Sequence, residues 1–158
     1  MYQSDYILRL IEQVGTAFRR QLAAIREHRP EDALEASDEA VAAALGAPAV
    51  LAYQLTVEGL VGMLRPGGTL DVERVVLLAE VLEARSKALD AAGRRDEAGD
   101  MLRRAGALRI AATVEAGEER VAEVRAAVLA AAERVPDDAV VTPPDAPPDA
   151  LASEGDGL

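Results

Sequence analysis

The sequence predicts an all-α protein, an antiparallel helical array of about six helices. Residues that favour helices, namely Ala, Leu, Arg and Glu, dominate the 158 residues of the chain. Alternating runs of β-branched residues, which would indicate strands, are few. Short breaks rich in Gly and Pro separate segments whose lengths suit helices.

The breaks predict where each helix begins and ends. Pro30 suits the first turn of the second helix, because proline there has no hydrogen bond to lose. Residues 65–69 form the clearest break, and Gly93 and Gly117 mark later turns, since glycine readily ends a helix. We therefore expect helices over about 4–27, 31–45, 48–65, 71–92, 96–114 and 117–134.

The first predicted helix carries two apolar stripes. One lies within an arc of roughly 80° and consists of Ile7, Ile11, Val14, Phe18, Leu22 and Ile25. The second, about a third of a turn away, consists of Tyr2, Tyr6, Leu10, Ala17 and Ala24. A helix packed on a single layer needs only one stripe. The second stripe is therefore expected to face a partner, and its two tyrosines suit an interface.

The third predicted helix, residues 48–65, is apolar on nearly every side. Such a helix is expected at the centre of a bundle. Gly59 and Gly62 weaken it, which suggests that a neighbouring backbone comes close at these positions. A small-molecule pocket around the two glycines is one alternative reading.

The fourth and fifth predicted helices resemble a tetratricopeptide repeat over residues 79–112. The matching positions are Leu82, Ser86, Leu89, Gly93, Ala98, Leu102 and Ala105. Arg85 departs from the pattern where leucine is usual, and Ile110 departs where a closing proline is usual. The resemblance implies a pair of antiparallel helices that pack closely at small residues.

The opening of the chain resembles a bacterial family of short helical proteins of unknown function. Members begin with Met, an aromatic residue, two variable residues, Asp-Tyr, an aliphatic residue and, two positions later, Arg. The residues that match here are Tyr2, Asp5, Tyr6, Ile7 and Arg9. Members also carry a tetratricopeptide-like segment after the middle. The resemblance implies no catalytic residue.

Few side chains suited to catalysis or metal binding are present. The chain has no cysteine and one histidine, so thiolate metal sites and cysteine nucleophiles are excluded. His28 lies among arginines and is interpreted as an exposed turn residue. Acidic rows over 31–39 and 115–123 are interpreted as solvated faces, with a divalent cation or a basic partner as the alternative. We expect no enzyme activity, no metal and no cofactor.

Charge divides the chain into a domain over 1–135 and a tail over 136–158. The tail holds six acids, no Lys or Arg, and five of the eight prolines, which predicts a disordered acidic segment. The rest carries 22 acids against 17 bases. This acidic balance argues against nucleic-acid binding. The opening lacks a secretory pattern and no long apolar run occurs, so a cytoplasmic protein is expected.

Together these observations predict a non-enzymatic protein–protein interaction module that self-associates as a homodimer through its first helix. The predicted partner-binding residues are Tyr2, Tyr6, Leu10 and Ala17, with Leu77 and Val81 of the fourth helix. One alternative is a membrane-surface protein that uses the apolar seam of the first helix, although the acidic remainder disfavours anionic lipid. The other is a helical domain that binds a small molecule.

Overall fold

A computed structural model describes the backbone of residues 3–134 and the side chains of residues 8–133. The predicted tail over 136–158 and Tyr2 lie outside this range. Within it the chain forms seven α-helices and no strand, which confirms the all-α fold class. The helices are α1 (Gln3–Arg26), α2 (Pro30–Leu45), α3 (Val50–Gln54), α4 (Val57–Met63), α5 (Val72–Ala91), α6 (Arg95–Ala116) and α7 (Glu118–Arg134).

Five of the six predicted helices are found with nearly the predicted bounds, because their ends are encoded locally. Pro30 is the first residue of α2. Gly46, with φ of 72°, ends α2, and its N–H donates to the carbonyl oxygen of Ala42 at 2.8 Å. A 3₁₀ turn, Pro66–Gly68, joins α4 to α5 as the predicted break required.

The predicted third helix is two short helices rather than one. Leu55 is extended, and the Thr56 hydroxyl accepts a hydrogen bond from the Gly59 N–H at 3.1 Å, so that a new helix begins there. Thr56 thus acts as an N-cap inside the segment that was expected to be continuous. The prediction of one helix over 48–65 is wrong for this reason.

The same segment is not the centre of the molecule. Met63 is 43% exposed and Val50 is 47% exposed. Among the described residues nothing lies within 4 Å of a Cβ placed on Gly62, and Gly59 meets only side chains of its own turn. The predicted close approach of another backbone is therefore wrong, and α3 and α4 pack on the surface.

Helix α5 occupies the centre. It packs against α1, α2, α6 and α7, and 14 of its 20 residues are buried. The buried residues lie on more than one side of the helix. Leu77 and Val81 are among them and are fully buried.

The described residues of both apolar stripes of α1 are buried or partly buried by the chain itself. Helices α2, α5 and α7 pack around α1, and the Arg19 guanidinium donates to the carbonyl oxygen of Ala132 on α7 at 3.2 Å. Leu10 and Ala17 of the second stripe are buried in the shared core. The expectation that this stripe stays uncovered is wrong at these positions, because α1 has three helical neighbours rather than one layer.

Candidate interaction surface

Helix α6 exposes three large apolar side chains away from the core, with the exposed Arg103 on the same side of the helix. Leu102 is 52% exposed, Ile110 is 67% exposed and Val114 is 81% exposed. Successive residues of a helix are turned by about 100°, so positions four apart stay on one face. We call this surface the outer face of α6 and define it as Gly99, Leu102, Gly106, Ile110, Thr113 and Val114.

The opposite side and both flanks of α6 are occupied. The buried residues of the helix, Ala98, Met101, Ala105, Leu108 and Ala112, form part of the core. On one flank, Arg104 donates to the carbonyl oxygens of Ala52 and Leu55. On the other, Arg109 donates to Glu80 of α5 at 3.0 Å. In the described part of the chain, the residues of the outer face are exposed or half-buried.

Gly106 lies at the middle of the outer face, inside a long helix, where glycine costs about 1 kcal/mol relative to alanine. Nothing in the described part of the chain lies within 4 Å of a Cβ placed there. A Cβ on Gly99 would meet only the end of the Arg103 side chain, at 3.6 Å. The chain's own packing therefore does not require these two glycines, whereas a second helix lying on this face would come closer because of them.

The four predicted partner-binding residues whose side chains are described do not form an exposed surface. Leu10, Ala17, Leu77 and Val81 are buried in the core, the side chain of Tyr6 is outside the described side chains, and Tyr2 is outside the described residues. We therefore place the candidate surface on α6 instead. The sequence contains a pattern that identifies this surface. The exposed apolar residues of α6 lie on the side of the helix opposite the small and large residues that pack into the core.

A cleft of ≈ 360 Å³ lies between α3, α5 and α6. Its lining residues are Tyr53, Arg85, Leu89, Arg94, Asp96, Glu97, Asp100 and Met101. Most of its charges are paired within the protein. Arg94 donates to Glu97 at 2.9 Å, which lowers the pKa of the Glu97 carboxyl, and Arg104 donates to Asp100 at 2.9 Å. These charged side chains of the cleft are thus accounted for by contacts within the protein.

Arg85, the departure from the tetratricopeptide pattern, is buried at the back of this cleft. It donates to the carbonyl oxygen of Leu34 at 3.3 Å, to the Ser37 hydroxyl and to Asp38 at 2.9 Å. The Tyr53 ring lies against its guanidinium at 4.2 Å. The arginine thereby ties α5 to α2 and α3, where leucine would offer only apolar contact.

Tyr53 provides a pH-dependent test of this cluster. Burial and, after it, a hydrogen bond from its hydroxyl to Asp38 at 2.7 Å raise the pKa of Tyr53 above its usual value near 10. The fold favours the neutral phenol, so this contribution to stability is present below pH of about 10 and is lost as the pH rises above it. We expect one of the three tyrosines to ionise late in an ultraviolet absorbance titration. Tyr53→Phe should remove that late component; its persistence in the variant would contradict the assignment.

Glu80 is a buried acid of α5 that joins three helices. It accepts hydrogen bonds from Arg109 of α6 at 3.0 Å, and Arg125 of α7 lies 2.6 Å from it. Glu83, one turn further along α5, also accepts from Arg109 at 3.0 Å. Two acids and two bases thus form a compact network between α5, α6 and α7.

The remaining candidates of the sequence are an exposed histidine and two rows of acids. His28 is an exposed residue in the turn between α1 and α2, as predicted. Part of the acidic rows is paired with arginine, for example Asp32 with Arg29 at 2.7 Å. Over the described residues no group of three or more His, Cys, Asp or Glu side chains could hold a metal ion. In the same range every helix is too short or too polar to cross a bilayer.

Comparison with known protein families, with curated proteins and with solved structures gave no match. The resemblance of the opening residues to a bacterial family therefore stays a prediction.

Proposed function

We propose that the chain is a non-enzymatic protein–protein interaction module that binds a helical segment on the outer face of α6. The observation that carries this proposal is the exposure of Leu102, Ile110 and Val114, which no described part of the chain covers. Single exposed apolar residues are common on protein surfaces, and the proposal rests on three large ones that project from the same helix. Burying each of the three could contribute about 1.5–3 kcal/mol, part of which offsets the entropy lost on association.

A tetratricopeptide-like pairing of α5 with α6 accompanies this proposal. The two helices are joined by a short turn at Gly93, and the Ser86 hydroxyl donates to the carbonyl oxygen of Ala98 at 2.8 Å. Small residues at these positions allow the close contact that such pairs need. In this pairing, one side of α6 packs into the core and the opposite side of α6 is presented to a partner.

The other functional readings have less support. The seam that a membrane-surface helix would use is buried, since Ile11, Val14 and Phe18 lie in the core. A pocket around Gly59 and Gly62 has little support, because no described residue lies within 4 Å of a Cβ placed on Gly62. The interaction module is therefore the function we carry forward.

A photoreactive amino acid placed at Ile110 tests this proposal in cells that express the protein. We expect one dominant covalent adduct at position 110 and none at Val50, a matched exposed apolar residue on α3. The captured protein, once purified, should bind the unmodified chain and lose binding to a variant carrying Leu102→Glu and Ile110→Glu. Adducts of equal yield at positions 110 and 50, or purified binding that the double substitution leaves intact, would refute the proposal.

A further inference from the structure

The cleft between α3, α5 and α6 contains a nearly buried arginine that uses only part of its hydrogen-bonding capacity. The Arg85 side chain lines the cleft and is 10% exposed. Its acceptors, on Leu34, Ser37 and Asp38, are all bonded to a single atom, Nη1. Nε and Nη2 donate to no described residue, and neither atom is fully enclosed by the described chain. Three of the five N–H groups of this guanidinium are therefore available to a molecule that enters the cleft.

The two unused atoms form the edge of the guanidinium that best recognises a carboxylate. Nε and Nη2 carry parallel N–H groups, so the two oxygens of one carboxylate can accept from both atoms at once. The group is also held in place, because Nη1 is bonded to α2 and the centroid of the Tyr53 ring lies 4.2 Å from Arg85 Cζ. Donors that are fixed before a ligand arrives reduce the entropy lost on binding.

The unpaired charge at the exposed rim of the cleft is negative. Two acids of the lining, Glu97 and Asp100, accept hydrogen bonds from arginine. The third, Asp96, is exposed and forms no ion pair with a described residue. This carboxylate repels a simple anion that approaches Arg85, whereas it attracts a ligand that carries a cationic group as well as a carboxylate.

The rest of the lining is apolar, and the cleft is small. Leu89 of α5 and Met101 of α6 form this part of the wall. The volume of ≈ 360 Å³ is near the lower end of the roughly 300–1,000 Å³ found for ligand sites. A space of this size suits one amino acid, whereas a nucleotide or a helix needs more room.

From the free edge of Arg85, the unpaired Asp96 and the apolar wall we infer that the cleft binds a free amino acid with an apolar side chain. The ligand carboxylate accepts from Nε and Nη2 of Arg85, and its ammonium group lies towards Asp96. Its side chain packs against Leu89 and Met101. The cleft shares no residue with the outer face of α6, so this binding site and the proposed partner surface can each exist without the other.

Titration of the full chain, followed in ¹H–¹⁵N correlation spectra, tests the site at the Arg85 Nε–H group. The probes are L-leucine, L-isoleucine, L-valine, L-methionine and L-phenylalanine, each up to about 10 mM. We expect at least one of them to move the Arg85 Nε–H proton downfield in a saturable way, because a carboxylate becomes its acceptor. The signal is assigned through the bonds of its own side chain. If none of the five probes moves it, the inference is wrong.

Two analogues of the bound amino acid separate the contributions of its charged ends. For L-leucine they are 4-methylpentanoate, which lacks the amino group, and 3-methylbutylamine, which lacks the carboxylate. Each should bind at least about tenfold more weakly than the amino acid, since each loses one contact with a charged group. An acid that binds as tightly as the amino acid would exclude the contact with Asp96, and an amine that does so would exclude the contact with Arg85.

Asp96→Asn tests the rim of the cleft, with Asp90→Asn as the matched control. Both acids are exposed, but only Asp96 lines the cleft. We expect Asp96→Asn to raise the dissociation constant of the amino acid at least about tenfold without weakening the binding of the acid analogue, which has no cation to lose. Asp90→Asn should leave both dissociation constants unchanged. Equal effects of the two substitutions, with circular dichroism showing that both variants are folded, would overturn the inference.

Discussion

Replacing Leu82 with alanine should lower the free energy of unfolding by about 2–5 kcal/mol. Leu82 lies on α5, which packs against four other helices, and its side chain is fully buried. The truncation removes apolar area from the core and leaves a cavity that neighbours on several sides hold open. A site enclosed in this way collapses little, so the loss should fall in the upper part of that range.

Met63→Ala is the matched control for Leu82→Ala. The sequence placed residue 63 in a central buried helix, whereas the structure places it on the surface, 43% exposed. Its truncation should change the free energy of unfolding by less than about 1 kcal/mol. Urea titrations followed by circular dichroism measure the free energy of unfolding of both variants. We expect this free energy to fall with urea concentration at the same slope in both. Equal losses for the two variants would contradict the central position of α5.

The ends of most helices could be predicted because their determinants are local. Pro30 and Gly46 act through their own backbone geometry, which does not depend on what packs nearby. Thr56 could also have been recognised as an N-cap, but the apolar residues on both sides of it indicated a continuous helix. At this position the N-cap hydrogen bond determines where a helix begins, although the apolar pattern indicated a continuous helix.

The order of burial could not be predicted from one helix at a time. Helix α5 contains Glu80 and Arg85, which make its sequence look less central than that of residues 48–65. Both are buried because other helices supply their partners: Arg109 and Arg125 for Glu80, and Asp38 for Arg85. A sequence pattern reports the polarity of a side chain, but it does not report the charge that will lie opposite it.

The candidate surface was misplaced for a related reason. The sequence gives α1 two apolar stripes, and their described residues are buried or partly buried. What it does not show is how many helices surround α1. Three do, whereas the residues of the outer face of α6 are exposed or half-buried in the described part of the chain. Periodicity counts the apolar faces of a helix, and the tertiary arrangement decides which of them remains free.

Replacing Glu80 with alanine should lower the free energy of unfolding by about 2–4 kcal/mol. Glu80 is buried, and both Arg109 and Arg125 lie within 3.0 Å of its carboxylate. After its removal, the partly buried Arg109 guanidinium keeps Glu83 as its remaining acid partner in the described chain. The Nε atom of Arg109 is already buried without a hydrogen-bond acceptor among the described residues. A charge taken out of water and deprived of its partner is costly, which sets the expected loss.

The variant Glu83→Ala shows how much of the loss of unfolding free energy in Glu80→Ala comes from the burial of the acid rather than from its charge. Glu83 contacts the same two arginines, but 29% of its side chain is exposed. Removing it should therefore cost only about 1 kcal/mol or less, because water can solvate what it leaves behind. Thermal unfolding at low and high salt completes the comparison, since salt screens exposed charges far more than buried ones. The Glu80→Ala loss should persist at high salt, and a loss that vanishes there or equals that of Glu83→Ala would mean that the three helices are not joined through a buried acid.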